Sequence, residues 1–240
     1  KTGDFVLQDV YISIIESLKH AAATRGVKPN IDWLDSTDYE NGKTLTKLKK
    51  YDGVIVPGGF GERGVEGKIK VIQFLRENKI PFLGICYGMQ LAVIEYARNV
   101  LGLGDAHTRE INKNTPHPVI DVMSEQIKNL NEKIYGGSMR LGIYKAILLP
   151  RTLAQTIYGQ DIIEERHRHR YEVNPKYVGQ LEKSGLVFSG KSPDGQLMEL
   201  MELPKEVHPF FIGTQFHPEF VSTPLKPHPL FLGFVKACKR

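Results

Sequence analysis

Hydrophobic positions along the first part of the chain alternate between helical and strand spacing. Apolar residues recur at intervals of three and four between Val10 and Leu18, which predicts a helix that Asp9 caps and Gly26 ends. Compact apolar runs at 31–34, 53–56 and 81–86 predict strands, and helical spacing returns at 68–78 and 87–102. Strands that alternate with helices in this way favour right-handed crossovers and a parallel sheet.

Between 119 and 203 the pattern changes to mostly β. Strand-like segments lie at 119–123, 139–149, 166–173, 185–190 and 197–203. Asp194 and Gly195 precede the last of them, and Asp-Gly readily reverses a strand, which predicts a hairpin. A strand at 210–216 and a helix at 228–240 close the chain. We therefore predict an α/β fold, with a mainly parallel open sheet flanked by helices and an antiparallel β excursion.

Composition narrows the class of protein. The 240 residues are 41% hydrophobic and 25% charged, which suits one globular domain over 1–240. No apolar stretch approaches the roughly 20 residues that cross a bilayer, and no secretory leader is recognisable, so we expect a soluble cytoplasmic protein without membrane contact. The net charge of +5 tolerates an anionic ligand but does not indicate nucleic acid. Cys86 and Cys238 are far apart, so neither a disulfide framework nor a metal site is expected.

A glycine-rich loop follows the strand at 53–56. Gly59, Gly61 and Gly64 form the pattern G-x-G-x-x-G, which occurs in dinucleotide-binding loops. Such loops also need an acidic residue about 20 positions later to hold a ribose. Gly84 to Cys86 stand there instead, so the pattern favours a glycine turn that serves other chemistry.

The segment GICYG, 84–88, places Cys86 between a predicted strand and a predicted helix. This is the cysteine form of a nucleophile elbow, in which glycines on both sides allow a sharp turn. The helix N-terminus is expected to lower the pKa of the thiol, and the amide of Tyr87 can point at a developing oxyanion. The alternative is a small apolar residue that ends a buried strand.

A cysteine nucleophile needs a base, and His217 in TQFHPEF is the best candidate. It ends a predicted strand, and Glu219 follows two residues later. In an extended chain such residues face the same way, and Pro218 helps to keep the backbone extended, so Glu219 can orient the imidazole. In isolation the motif also fits a solvated turn.

The run RHRHR, 166–170, permits several interpretations. In a strand, Arg166, Arg168 and Arg170 share one face, and the two histidines share the other with Tyr171. A metal site lacks a third ligand nearby, and a phosphate or nucleic-acid patch lacks the aromatic residues of known motifs. A contribution to a ligand site or to a border with another domain fits better.

Three segments, VPGGFG, GICYGMQ and GTQFHPEF, closely resemble the signature segments of class I (triad) glutamine amidotransferases, whose fold is flavodoxin-like. TPHPVI, GGSMRLG and above all EERHRHRYEVNP are similar to the glutaminase domains of the CTP synthase family. The resemblance covers essentially the whole chain. It departs in two respects: the amidoligase domain that precedes this one in the family is absent, and the chain begins near the point where the first strand should already have passed.

The resemblance implies that the chain hydrolyses L-glutamine to glutamate and ammonia through a thioester on Cys86. His217 and Glu219 complete the triad, and amides of Gly59 and Tyr87 form the oxyanion hole. The glutamine-binding residues that it implies are Gly59, Tyr87, Gly88, Gln90, Glu110, Arg170 and Tyr171. Glu110 would pair with the α-ammonium group, and Arg170 would lie near the α-carboxylate, which its planar fork suits.

The resemblance also implies partners. Ammonia would serve the ATP-dependent amination of UTP to CTP in the absent amidoligase domain, with Mg and with GTP as effector, in a homo-tetramer. This domain itself needs no cofactor and no metal. Phe60 is either plain packing or part of a GTP contact. The resemblance thus makes the chain the glutaminase half of a C–N bond-forming ligase of pyrimidine biosynthesis.

Other functional classes remain open from the sequence. The chain could be the glutaminase subunit of another class I amidotransferase, or a cysteine hydrolase or chaperone-like protein of related fold. A binding module with a decayed site is a further class. The presence of Cys86, His217 and Glu219 together argues against decay.

Overall fold

The computed structural model describes residues 8–122 and 139–238. In these ranges the α-helices, numbered α1 to α7, are Ile12–Ala23, Ser36–Glu40, Val65–Glu77, Tyr87–Asn99, Leu153–Tyr158, Pro175–Lys183 and Pro229–Ala237. Short 3-10 helices lie at Gln8–Tyr11, Leu45–Lys50 and Pro218–Phe220. The strands, β1 to β10, are Val54–Val56, Phe82–Ile85, Ala106–Thr108, His117–Val122, Arg140–Leu148, Ile162–His169, Tyr171–Val173, Val187–Lys191, Met198–Glu202 and Phe211–Thr214.

The larger sheet in the described ranges is mixed. Its strand order is β1-β2-β10-β9-β8-β5-β6, in which β1, β2 and β10 are parallel and the others pair antiparallel. A smaller sheet has the order β3-β4-β7. The α/β class with an antiparallel part and the predicted β8–β9 hairpin are confirmed. The antiparallel part is larger than the pattern suggested, because β9, β8, β5 and β6 extend the same sheet beyond β10.

Side chains of β2 alternate between two cores. Phe82 packs in the core under α3 and α4, where its ring centroid lies 4.5 Å from that of Phe211. Leu83 and Ile85 face the opposite core, which α1 and α7 cover. Both faces of the strand are therefore buried, as in parallel sheets flanked by helices.

Helix α4 lies between the two sheets. It contacts β2 and β10 of the larger sheet and β3, β4 and β7 of the smaller one. Residues 87–97 are consequently buried on every side of the helix, which is typical of a core helix. This packing fixes the N-terminus of α4 at the end of β2.

Two predictions about the first part of the chain are wrong. Residues 31–34 are not a strand, since their side chains are exposed or half-buried and no described strand pairs with them. Helix α1 begins at Ile12 without a side-chain cap, because Gln8–Tyr11 form a 3-10 turn instead, and Val10 is exposed. Gly26 does end this region, with a φ of +64°.

The predicted strand at 166–173 divides at Arg170. Strand β6 ends at His169 in the larger sheet, and β7 begins at Tyr171 in the smaller one. Arg170 therefore lies where the chain crosses between the sheets. Met123, the last residue of the strand predicted at 119–123, lies outside the described residues. None of the helices in 8–122 and 139–238 is long and apolar enough to cross a membrane.

Candidate active site

Cys86 occupies a sharp turn between β2 and α4. Its φ is +51°, a conformation that non-glycine residues rarely adopt. Strained backbone conformations of this kind cluster at functional sites. Its amide donates to the carbonyl of Thr214 at 2.6 Å, and its carbonyl accepts from the amide of Gln90 at 3.2 Å. A Cβ on Gly88 would overlap the carbonyl of Val56, so this close approach requires glycine. The predicted elbow geometry is present.

The thiol of Cys86 lies in a strongly desolvated position. The residue is 6% exposed, and burial raises the pKa of the thiol to about 12. The negative charge of Glu219 contributes to this rise in the pKa, and the backbone amide of Tyr87 opposes it by hydrogen bonding to the sulfur. The amide at the helix N-terminus does act to lower the thiol pKa, but the predicted net lowering is wrong, because burial outweighs this contribution.

His217 and Glu219 form a close pair. The His217 Nδ1 lies 2.7 Å from Oε1 of Glu219, and both residues are buried. The chain does not stay extended at Pro218 as predicted but enters the 3-10 turn Pro218–Phe220, and this turn makes the contact. The ring of Phe220 stacks on the imidazole at 4.8 Å, and the His217 amide donates to the carbonyl of Arg166 at 2.8 Å.

Gly58 brings the cysteine and the histidine together. A Cβ on Gly58 would lie 2.9 Å from Cε1 of His217 and 3.6 Å from Cβ of Cys86. These residues follow the carboxyl ends of β1, β2 and β10, the parallel strands of the larger sheet, where ligands of α/β proteins bind. Gly58 was not predicted from the sequence, where its neighbour Gly59 was named instead. The double glycine after Pro57 was the available signal.

The loop that carries Gly59 is tied to α4 and to the following segment. Tyr87 donates its hydroxyl to the carbonyl of Gly61 at 2.8 Å, and a Cβ on Gly59 would lie 3.7 Å from the Tyr87 ring. The amide of Gly61 donates to Oε1 of Glu110 at 3.1 Å. Phe60, in the same loop, is 88% exposed to solvent. The structure thus places Gly59, Tyr87 and Glu110 in one cluster.

A chain of amides runs beside the sulfur. The side-chain nitrogen of Gln90 donates to the carbonyl of Tyr171 at 2.9 Å and to Oε1 of Gln215 at 3.1 Å. The side-chain nitrogen of Gln215 lies 3.7 Å from Sγ of Cys86. Gln215 was not singled out from the sequence, although it directly follows β10 and lies two residues before His217.

Tyr171 lies near both of the predicted recognition charges. Burial raises the pKa of Tyr171, the charge of Glu110 raises it further, and the charge of Arg170 opposes the rise. Glu110 and Arg170 therefore both lie within electrostatic reach of this tyrosine. The structure brings these residues to the side of the site where Gln90 contacts Tyr171.

The arginine and histidine residues of β6 face opposite ways, as predicted. Arg166 and Arg168 are exposed, whereas His167 and His169 are buried. His167 Nδ1 lies 2.9 Å from His169 Nε2, and His169 Nδ1 lies 3.2 Å from Glu172. Burial lowers the pKa of His167 to about 2 and that of His169 to about 3, so both rings are neutral.

Arg140 and Glu199 pair beside these histidines. The Arg140 guanidinium donates to Glu199, whose pKa burial nevertheless raises to about 7. Burial also raises the pKa of Glu172 well above its usual range. His167, His169 and Glu172 of the EERHRHRYEVNP segment thus form a buried polar layer with Arg140 and Glu199. Among residues 8–122 and 139–238, no group of three or more His, Cys, Asp or Glu residues is arranged to hold a metal ion.

Comparison with known proteins identifies relatives over nearly the whole chain. Residues 6–237 match the family described as glutamine amidotransferase class-I. The chain is 54% identical over 236 residues to a CTP synthase of Archaeoglobus fulgidus and 57% identical over 232 residues to one of Sulfurisphaera tokodaii. These matches cover 98% and 96% of this chain but 43% of each relative, so the chain spans less than half of their length.

Solved structures give the same result. The glutaminase domain of Trypanosoma brucei CTPS, with bound acivicin, superimposes with a TM-score of 0.90 at 37% identity, over 98% of this chain and 90% of that one. A glutamine amidotransferase from Thermotoga maritima reaches a TM-score of 0.53 at 14% identity, over 97% of this chain and 89% of that one. The second similarity concerns the fold alone.

Proposed function

Because this chain belongs to the class I glutamine amidotransferase family, we propose that it hydrolyses L-glutamine to glutamate and ammonia through a thioester on Cys86. The family membership confirms the resemblance drawn from its three signature segments. One observation carries the proposal: a cysteine at positive φ on a strand-to-helix turn and a hydrogen-bonded His217–Glu219 pair both adjoin Gly58. This is the nucleophile, base and orienting carboxylate of a triad.

The reaction begins with a neutral thiol, because burial raises its pKa to about 12. The Cys86 proton passes to His217 as the sulfur attacks the side-chain amide carbon of glutamine, and the carbonyl oxygen becomes an oxyanion. The imidazolium then gives its proton to the leaving nitrogen, the C–N bond breaks, and ammonia departs from a thioester. Water attacks the thioester while His217 takes its proton, and glutamate leaves as the thiol re-forms.

Backbone amides of Gly59 and Tyr87 hold the oxyanion. Donors of this kind typically contribute about 3 kcal/mol each to the transition state. The amide of Tyr87 already points at the sulfur of Cys86, where the tetrahedral carbon forms. The glycine loop contributes its amide without a side chain that would obstruct the substrate.

Glutamine is held at its amino-acid end by opposite charges. Glu110 pairs with the α-ammonium group, and Arg170 engages the α-carboxylate. Gln90, Gly88 and Tyr171 line the remainder of the site. Support for this arrangement comes from the position of Glu110 beside the glycine loop and from the electrostatic reach of both charges to Tyr171.

The activity of a longer protein is a further part of the proposal. CTP synthase relatives have more than half of their length outside the matched region. We propose that this chain supplies ammonia to such a region, an amidoligase that aminates UTP to CTP with ATP and Mg, in a homo-tetramer. GTP would act as effector, with exposed Phe60 as one contact. The high identity to CTP synthases favours this over a role in another class I amidotransferase.

Glutamate release from glutamine tests the proposal. The parent chain, Cys86→Ala and Cys238→Ala would be compared, alone and as the matched part of a full-length CTP synthase. We expect release by the parent and by Cys238→Ala and none by Cys86→Ala. Acivicin, which is bound in the trypanosomal relative, is expected to protect Cys86 from alkylation but not Cys238. Release that survives in Cys86→Ala, or no release in either setting, would overturn the proposal.

A further inference from the structure

We propose that Gln215 is a positioning residue, which orients the sulfur of Cys86 and favours its thiolate by donating an N–H hydrogen bond. The inference rests on the proposed function and assigns to Gln215 a part in it. The observation behind this inference is that the side-chain nitrogen of Gln215 lies 3.7 Å from Sγ of Cys86. Sulfur can accept a hydrogen bond at this distance.

The direction of the amide chain is fixed by a backbone carbonyl. The carbonyl of Tyr171 can only accept, so Gln90 must turn its NH₂ group toward it. The same NH₂ group lies 3.1 Å from Gln215, which must therefore present its oxygen there. Consequently the NH₂ group of Gln215 faces the sulfur, and the sulfur is the acceptor.

The backbone holds Gln215 and Cys86 at a constant separation. Gln215 is fully buried, and its amide donates to the carbonyl of Glu199 at 2.9 Å. The preceding residue, Thr214, accepts from the amide of Cys86 at 2.6 Å. Donor and acceptor thus directly follow the neighbouring strands β10 and β2, and the hydrogen bonds of these backbones preorganise the contact.

The charges around Cys86 explain why a neutral donor matters. Glu219, Glu172 and Glu110 all raise the pKa of the thiol, in addition to burial. Against them stands the backbone amide of Tyr87, on the α4 side, and His217 is the titratable neighbour on the other side of Gly58. Gln215, directly after β10, adds a donor that carries no charge and is not lost at any working pH. In a low-dielectric surrounding, such a donor stabilises the thiolate more than it would in water.

The pH dependence of Cys86 alkylation by iodoacetamide tests this role, with peptide mass spectrometry separating Cys86 from Cys238. Gln215→Met keeps the side-chain length and removes the donor. We expect Cys86 in this variant to react about tenfold more slowly near neutral pH, and its profile to move to higher pH, since a hydrogen bond to a charged group is lost. Cys238, which lies at the end of α7, is expected to react as in the parent.

Two further variants keep the test decisive. Gln196→Met makes the same change in the exposed turn between β8 and β9, and its Cys86 profile is expected to match the parent. Gln215→Glu preserves the shape of the side chain, so it serves if Gln215→Met does not fold. The ionised carboxylate of Gln215→Glu cannot donate a hydrogen bond to the sulfur. This variant should therefore slow Cys86 alkylation at alkaline pH even more than Gln215→Met does.

An unchanged Cys86 profile in a folded Gln215→Met or Gln215→Glu chain would overturn the inference. Folding is checked by circular dichroism and thermal melting. The alkylation readout does not require glutamine hydrolysis. If the Gln215 variant shifts the alkylation profile but the parent chain never releases glutamate, the role of Gln215 stands and the proposed function is rejected. If the parent releases glutamate but the variant leaves the profile unchanged, only the role of Gln215 is rejected.

Discussion

The Nδ1 atom of His217 lies 2.7 Å from Oε1 of Glu219, and the 3-10 turn Pro218–Phe220 sets this distance. The pair is buried, so water does not compete for the carboxylate oxygen that holds the ring. The contact also selects the tautomer, because a proton on Nδ1 leaves Nε2 free to act as base. Glu219 is therefore the hydrogen-bonding partner that orients the base.

Glu219→Gln is expected to lower kcat for glutamate release by about 10²- to 10⁴-fold. The amide can turn its NH₂ group toward Nδ1, which favours the wrong tautomer of His217, and without a charge it cannot stabilise the imidazolium. Steady-state glutamate release measures the effect. Glu16→Gln, an exposed change on α1, is the control and should behave as the parent. Thioester formation at the parental rate in Glu219→Gln would instead favour a hydrolase that does not use this carboxylate.

Gly58→Ala is expected to displace the imidazole. The new methyl group would lie 2.9 Å from Cε1 of His217, closer than carbon atoms normally approach, so the ring or the loop must move. A misplacement of this size is expected to reduce kcat by about 10²-fold with a small change in Tm. Gly104→Ala, which has open space around its Cβ, is the matched control. Parental kcat in Gly58→Ala would show that the ring does not need its present position.

Arg76→Met is expected to destabilise the fold. Arg76 makes a two-pronged contact with Glu95, which is fully buried on α4, so the variant leaves a buried carboxylate without its cation. We expect the free energy of unfolding to fall by about 2–4 kcal/mol in urea titrations. Lys19→Met, which breaks an exposed pair with Glu16, should change it far less, since solvent screens that pair. Equal effects would contradict the prediction.

His208 is expected to make stability depend on pH. Its Nδ1 accepts from the amide of Phe210 and its Nε2 faces the carbonyl of Leu75, so the neutral ring satisfies both neighbours. Burial lowers its pKa to about 4, below the ordinary value of about 6.5. Between these values the unfolded chain binds a proton that the folded chain does not, so stability falls as the pH falls.

The matched variant His208→Gln isolates this contribution. In the parent, the lowered pKa of His208 is expected to reduce the free energy of unfolding by about 2 kcal/mol at about pH 5 relative to neutral pH. The variant should lack this part of the pH dependence. Urea titrations at the two pH values measure the difference. His167 and His169, whose pKa values are also lowered, act in the same direction in both proteins and cancel. An identical pH dependence in both proteins would contradict the prediction.

The sequence by itself determined the local features. Four features depend on residues close together in the chain. They are the strand, turn and helix around Cys86, the two-residue spacing of His217 and Glu219, the inward and outward alternation of β6, and the β8–β9 hairpin. Backbone preferences and the period of a strand act over such distances, so pattern and turn chemistry predict them. The same evidence was enough for the fold class and the family.

Only the tertiary structure decided the relationships between distant residues. Gly58, Cys86 and His217 meet because three parallel strands end at one edge, and Gln215 reaches the sulfur because β10 lies beside β2. The high pKa of the Cys86 thiol likewise follows from burial by many elements, which no local signal of a helix N-terminus reveals. Strand order and desolvation depend on the packing of the whole domain, and a linear pattern does not contain them.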